Sequence, residues 1–381
     1  VAGGSAWRAV LSALSRALAC AIAALAAIGG GVSAEDSSPG QWTAPEVSEF
    51  SDWSIACDNA RNCTALSVSR EYVARIEAND PGDYAMPKLW VKRRAGPDAR
   101  PRVFVDTTVW GEAGKGPGPA SLHVYTECDG DCTGRAYRLV PIEPGRYELA
   151  TGDVAAFMAE SVTSSRAATR FADGAMHGII STSGLAAAMR YIDEVQERRG
   201  TVTAIFAKGP RPARTVSPEP SLPRITVVRG EETALEMPTG IAAGVLAARA
   251  QLCPEADLVA RDPLRARYRL STGQFLLAVG CSGNPYAPRR LWLIETPGRG
   301  SAPFMVPRPE QGRPAELPIL PNSDFDPASG MITAYSDGKC GWRRRWAWTG
   351  YEFEMIDAVE MPPCYGIPLH QWLQTYRAVP D

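Results

Sequence analysis

Downstream of an apolar N-terminal stretch, eight cysteines fall in sequence order as four close pairs: Cys57/Cys63, Cys128/Cys132, Cys253/Cys281 and Cys340/Cys364. Such a layout predicts folding in an oxidising compartment, with short loops closed by disulfides. The preceding stretch has the three parts of an export signal: basic Arg8 and Arg16, an apolar run from Ala17 to Ile28, and Val32-Ser33-Ala34 before Glu35. Cleavage after Ala34 is expected to remove residues 1–34 as a signal peptide, and with them the ninth cysteine, Cys20. That run is shorter and richer in Ala than the about 20 strongly apolar residues of a membrane span, and glycines follow it at once. The mature chain is therefore expected to be periplasmic or secreted, with no transmembrane segment.

Adjacent pairing is the arrangement that short loop closure favours, although eight cysteines leave many other connectivities open. Cys128-Asp129-Gly130-Asp131-Cys132 sets two thiols around an acidic turn, which raises the alternative of a metal. The chain has no CxxC pair and only His123, His177 and His370 as further soft donors, so neither metal nor cofactor is expected. Its 40 basic and 42 acidic residues give a net charge of −2, which offers no general electrostatic attraction to nucleic acid.

Five prolines between Gly209 and Pro223 predict an extended linker, because proline lacks a backbone donor and fixes φ. The linker, 209–223, separates two expected domains, 42–208 and 224–381. In the first, the segments Trp53–Cys57, Lys88–Lys92, Arg102–Val105 and Leu122–Tyr125 read as strands. Leu185, Met189, Ile192 and Val195 recur at helical spacing; Ser183 is the expected cap, Glu194, Glu197, Arg198 and Arg199 the outer face, and Gly200 the stop. Thr201 to Ala207 should follow as a strand. In the second domain, Gly240 to Leu252 reads as a helix. Strands are expected at Gln274–Cys281, Leu291–Ile294, Phe304–Val306 and Met331–Tyr335. A hairpin of Trp342–Trp348 against Tyr351–Met355 is expected to turn at Thr349-Gly350. The fold class is α+β and mostly β: two antiparallel, disulfide-stapled domains with about one packed helix each.

Phe50-Ser51-Asp52-Trp53 leading to Cys57 and Cys63, the Ser183-Gly184 helix with Asp193, Gln196 and Arg198, Leu276 to Cys281, and Cys340-Gly341 through Trp348, Phe353, Cys364 and Trp372 resemble an exported bacterial family, domain of unknown function 1176. The first domain is also similar to invasion-associated locus B proteins, through Cys128 to Cys132 followed by a late Ser-Gly helix. The resemblance implies an exported, β-rich, disulfide-containing protein and carries over no catalytic residue.

Among the residues that could carry chemistry, Ser336-Asp337-Gly338-Lys339 has the S-x-x-K spacing, but its glycine makes it a turn. Asn322, Asp324 and Asp326 alternate like the opening of a calcium loop, yet Pro327 stands where glycine is needed. His177 lies near Ser181 and Ser183 without a nucleophile elbow. In the last hairpin, strand alternation puts Trp342, Arg344, Trp346 and Trp348 on one face. That stripe either fills the core or forms a binding face for an envelope glycan or protein. His370 and Trp372 carry the same ambiguity. The expected function is a non-catalytic envelope binding module, one version being an inhibitor of cell-wall hydrolases. The alternative is an envelope hydrolase whose site joins distant residues, carboxylates with His123 or His177.

Overall fold

The computed structural model describes residues 47–68, 87–107, 118–125, 134–231, 239–253, 264–270, 272–281, 288–308, 315–336, 340–361 and 367–381. The expected signal peptide, Cys128, Cys132, Cys364 and most of the S-x-x-K segment lie outside them. Thr43 to Asp381 form one compact unit.

The first half is a ten-stranded antiparallel sheet. Its strands are β1 (Ser48–Phe50), β2 (Trp53–Cys57), β3 (Cys63–Ser67), β4 (Lys88–Arg93), β5 (Arg102–Asp106), β6 (Ser121–Tyr125), β7 (Ala136–Glu143), β8 (Arg146–Leu149), β9 (Arg166–Arg170) and β10 (Met176–Ser181). They run in the order β1-β2-β3-β4-β5-β8-β7-β6-β9-β10. The two ends of this sheet meet: Ser181 Oγ donates to Asp52 Oδ2 at 2.6 Å, and Ser67 Oγ donates to the Ser181 carbonyl at 2.6 Å. Helix α1 (Val154–Ser161) turns Phe157 edge-on to Tyr137 of β7, with ring centroids 5.7 Å apart. Sequence reading missed α1 because eight residues span barely two turns, and Asp153 gives it no side-chain cap.

Helix α2 (Leu185–Val195) buries Leu185, Ala188, Met189 and Ile192 against β1, β2 and β3. Its cap is Gly184, not Ser183, because the chain enters at φ +94° and a Cβ there would lie 1.9 Å from the Phe50 carbonyl. It stops before Gly200. Glu197 takes φ +57°, Arg198 N–H returns to the Asp193 carbonyl at 2.7 Å, and Glu197 N–H returns to Glu194 at 2.9 Å. These are the paired bonds of a Schellman motif. That reversal carries Arg198, expected on the outer face, into the interior, where it is fully buried.

From 209 to 223 the chain joins no strand and makes one bridge, Arg211 to Thr201. The short β11 (Arg224–Ile225) then pairs in parallel with β22 (Val379–Pro380). Two antiparallel sheets make up the rest. One contains β12 (Leu264–Arg269), β13 (Phe275–Gly280), β14 (Arg289–Thr296), β15 (Gly300–Pro303) and β16 (Ile319–Pro321). The other contains β17 (Asp324–Asp326), β18 (Met331–Tyr335), β19 (Gly341–Trp348), β20 (Phe353–Met361) and β21 (Leu373–Arg377).

Period-two alternation decides their packing. Leu276, Ala278 and Trp292 face Ile332, Trp346, Trp348 and Phe353 across the sandwich. Leu277, Val279, Leu291 and Leu293 face the other way, in a cluster with Val245 of helix α3 (Thr239–Leu252), pinned by the Cys253–Cys281 disulfide. A third cluster joins Ala56, Leu66, Trp90 and Phe104 of the first half to Val359, Met361, Trp372 and Leu373.

Two further expectations are corrected. Phe304–Val306 is no strand: β15 ends at Pro303, and Val306 makes only an isolated bridge to Glu316, next to Pro307. The last hairpin turns through Thr349–Glu352, not a two-residue loop, so Trp348 pairs with Phe353. The Cys57–Cys63 disulfide is present directly across β2 and β3, and Cys340 is disulfide-bonded.

Candidate functional site

The aromatic stripe of the last hairpin is interior. Trp346 and Trp348 are fully buried, and Trp346 Nε1 donates to the Pro307 carbonyl at 2.9 Å. Trp342 is half-buried beneath Arg344, whose guanidinium lies 4.5 Å from its ring centroid. Arg344, itself buried, reaches Glu316 at 3.5 Å and Glu360 at 3.6 Å. Trp346 and Trp348 therefore close the sandwich against the other sheet, and the aromatic surface left open on the stripe is the exposed part of Trp342 beside Arg344. Trp372 is likewise buried, donating to Ile367, while His370 is exposed.

The other candidates disperse. Asp324 pairs with Arg290 at 3.3 Å, Asp326 accepts from Ala328 N–H, and Asn322 donates to Tyr335, so each oxygen-bearing side chain has its own local role. Among the described residues no group of three His, Cys, Asp or Glu converges on a metal position. Ser336 caps Trp342 N–H at 2.7 Å. His177 Nδ1 meets Thr169 Oγ1 at 2.9 Å, whereas Ser181 is engaged with Asp52, so these do not form one site.

A cleft opens instead where β4, α1 and the segment after α2 meet. Its construction starts from Asp193, fully buried on the last turn of α2. The carboxylate accepts backbone N–H groups of Ile205 at 2.8 Å, Phe206 at 2.9 Å and Ala207 at 3.2 Å, together with Arg93 Nη1 at 3.3 Å. This is why 201–207 is not the expected strand: a buried carboxylate satisfies the amides that a ladder would have used. Arg198 does the converse for carbonyls. It donates to Gly96, to Pro97 at 3.4 Å, to Thr203 Oγ1 at 3.0 Å and to Gln196 Oε1 at 3.0 Å. Arg93 ties in Ala99 and Thr203 through their carbonyls. Burial, followed by the neighbouring Arg198 charge, lowers the Arg93 pKa. The guanidinium still keeps its charge at neutral pH.

These bonds fix the walls of a cleft of about 530 Å³. Its aliphatic surface comes from Pro97, Pro101, Val154, Met158, Ala204 and Ile205. Arg100 and Lys208 stand exposed on its lining and make no ion pair among the described residues, with Asp98 as the acidic group beside them. The first turn of α1 also lines it through Val154 and Ala155, where early helical N–H groups have no intrahelical acceptor. No aromatic ring, histidine or cysteine is among the lining residues. The arrangement suits holding an anionic group over an aliphatic floor. Sequence reading noted Asp193, Gln196 and Arg198 as landmarks but missed the cleft. The available signal was an Asp at the end of an apolar helical stripe.

No helix among the described residues is long and apolar enough to cross a membrane. No solved structure matches the chain. It is similar to the uncharacterized protein YpfG of Escherichia coli (strain K12), with 27% identity over 348 residues that cover 85% of this chain and 90% of that protein. With residues 47–379 matching, the chain belongs to the protein family of unknown function DUF1176.

Proposed function

We propose that this is an exported envelope protein that works by binding, and that its site is the cleft between β4, α1 and the 202–208 segment. The ligand it suits is an acidic segment of a protein or peptide partner. The observation that carries the reading is the pairing of two exposed cations, Arg100 and Lys208, with an aliphatic floor. A carboxylate gains from the cations, while aliphatic side chains of a peptide bury against Val154, Met158 and Ile205. A sugar ring would find no aromatic platform among the lining residues. Export is supported by the N-terminal signal pattern and by disulfides, which persist in oxidising compartments. The similarity to invasion-associated locus B proteins rests on Cys128 and Cys132, outside the described residues.

Fluorescence anisotropy with a labelled peptide of alternating Glu and Ala tests the reading, against the same peptide with Gln for Glu. Binding to the acidic peptide should fall with added salt and be lost in the Arg100→Gln/Lys208→Gln variant. Equal affinity for both peptides, or affinity unchanged in the variant, would sink it. Selective retention of an anionic oligosaccharide, lost in the same variant, would transfer the site to a glycan.

A further inference from the structure

A second constellation lies on the other side of the ten-stranded sheet. Leu122 of β6 pairs with Tyr137, on which Phe157 of α1 rests, so the Leu122 face is the one that α1 covers. Ser121 and His123 alternate with Leu122 and leave β6 on the opposite face. Ser121 Oγ and His123 Nε2 are 2.9 Å apart. His123 Nδ1 lies 3.3 Å from the Gly134 carbonyl.

That carbonyl settles the proton assignment. A carbonyl oxygen can only accept, so Nδ1 carries the ring proton, Nε2 is bare, and the Ser121 hydroxyl donates to it. Burial lowers the His123 pKa against the opposing pull of the Gly134 hydrogen bond, and nearby Arg170 lowers it further, which leaves Nε2 unprotonated and able to accept a proton at neutral pH. Position 134 has to be glycine for this contact: a Cβ there would lie 2.2 Å from the Val124 carbonyl. The close backbone approach is what brings the Gly134 oxygen to the ring.

The flanking residues differ sharply between the two positions. The cross-strand neighbours of His123 are Ala136 and Ala168, which are small. Those of Ser121 are Arg138 and Arg170, with side chains on the same face as the hydroxyl. Arg170 Nη1 also donates to the Gly174 carbonyl at 2.8 Å. A bare imidazole nitrogen, a hydroxyl donating to it, a carbonyl orienting the ring and two arginines at the cross-strand positions of the hydroxyl match the roles of base, nucleophile, orienting acceptor and anion stabiliser.

We infer that Ser121 is a nucleophile with His123 as its general base, acting on esters whose acyl group bears a carboxylate. In the first half-reaction, a bond forms from Ser121 Oγ to the acyl carbon as the bond from that carbon to the alcohol oxygen breaks. The hydroxyl proton passes to His123 Nε2 and from there to the departing alcohol. Water then adds to the acyl carbon, giving its proton to the same nitrogen. The Ser121–acyl bond breaks, the proton returns to Ser121, and a carboxylic acid leaves. Arg138 and Arg170 supply charge for the carbonyl oxygen in flight and for the carboxylate of the substrate. This activity goes beyond the binding reading and shares no residue with the cleft.

The test is covalent labelling of the full oxidised chain with a fluorophosphonate, followed by intact-mass measurement and peptide mapping. One adduct, on Ser121, is expected. Its formation should be abolished in Ser121→Ala and slowed by about 100-fold in His123→Gln. Hydrolysis of 4-nitrophenyl hemisuccinate should exceed that of 4-nitrophenyl acetate, and Arg138→Gln should erase the preference. Absence of an adduct on Ser121 in the wild-type chain overturns the inference even where a variant fails to fold. So does labelling of Ser121 at an unchanged rate in His123→Gln.

Discussion

The side-chain amide of Asn59 forms a two-bond rung with the backbone of Arg377, far away in sequence. Its Nδ2 donates to the Arg377 carbonyl at 2.9 Å, and its Oδ1 accepts the Arg377 N–H at 2.8 Å. The rung depends on a loop folded for the purpose. Asp58 Oδ1 accepts Ala60 and Asn62 N–H groups, Asp58 Oδ2 meets Arg377 Nε at 2.6 Å, and the Cys57–Cys63 disulfide closes the base. The amide thus stands in for a strand residue at the edge of β21. Asn59→Asp removes the donor and sets a carboxylate against a carbonyl. A loss of about 1–3 kcal/mol is expected in urea unfolding, with the slope unchanged. A loss under about 0.5 kcal/mol would mean that water replaces the rung.

Glu197 holds a left-handed backbone at the end of α2 while accepting from Arg61 at 2.7 Å and Ser217 at 2.5 Å. Glu197→Ala and Glu197→Gly lose the same two partners, but only glycine adopts this φ without a Cβ penalty. The glycine variant should be the more stable of the two by about 1 kcal/mol. Equal denaturation midpoints would show that the reversal carries no conformational cost.

Trp346 and Trp348 share a core but differ in one bond. The Trp346 indole N–H reaches Pro307, whereas the buried Trp348 indole N–H has no partner among the described residues. Both phenylalanine substitutions leave a similar void, so their difference isolates the hydrogen bond. Trp346→Phe should cost about 1 kcal/mol more than Trp348→Phe. The reverse order in chemical denaturation would point to cavity collapse as the deciding factor.

Such pairs show what the chain wrote plainly and what it did not. Trp53–Cys57, Met331–Tyr335 and the α2 stripe were legible because period two and period 3.6 depend only on neighbouring residues. The Trp342–Trp348 stripe was legible as one face, but which side that face meets is a tertiary fact, set by Leu276, Ala278 and Trp292 of another sheet. Thr201–Ala207 misled for a related reason. Its β-formers were real, but its amides answer to Asp193, outside any ladder. The cleft needed Arg93, Arg100, Val154 and Lys208 to converge from four separate segments, which no local spacing encodes. Ser121 and His123 are two residues apart, yet their pairing becomes meaningful only once Gly134 is seen to orient the ring.

Burial holds His177 below the ordinary imidazole pKa of 6.5, next to Thr169 and edge-on to Phe171. The unfolded chain takes up a proton near 6.5 while the folded chain resists it. Stability from this group is therefore complete above the unfolded value and declines as pH falls toward the folded one. Urea midpoints should drop between about pH 7 and pH 5. His177→Asn, which keeps a polar atom toward Thr169, should flatten part of that decline. An unchanged pH profile in the variant would assign the decline to other groups, His123 first, since its pKa is lowered in the same direction.

Asp193 is the single acceptor for three consecutive amides and the counter-charge for Arg93, so its substitution separates local from global effects. Asp193→Asn keeps the volume but leaves buried Arg93 and Arg198 without their carboxylate. A destabilisation of about 3–5 kcal/mol is expected, as for any buried pair broken on one side. Adding Arg93→Met should recover part of it, because the two residues share one network. Hydrogen exchange gives the sharper readout. The amides of Ile205, Phe206 and Ala207 should lose protection well before those of β4 in the single variant, since their acceptor is weakened while the ladder is intact. Retained protection at these three positions would mean that the segment walling the cleft is held by its aliphatic contacts, with the carboxylate a passenger.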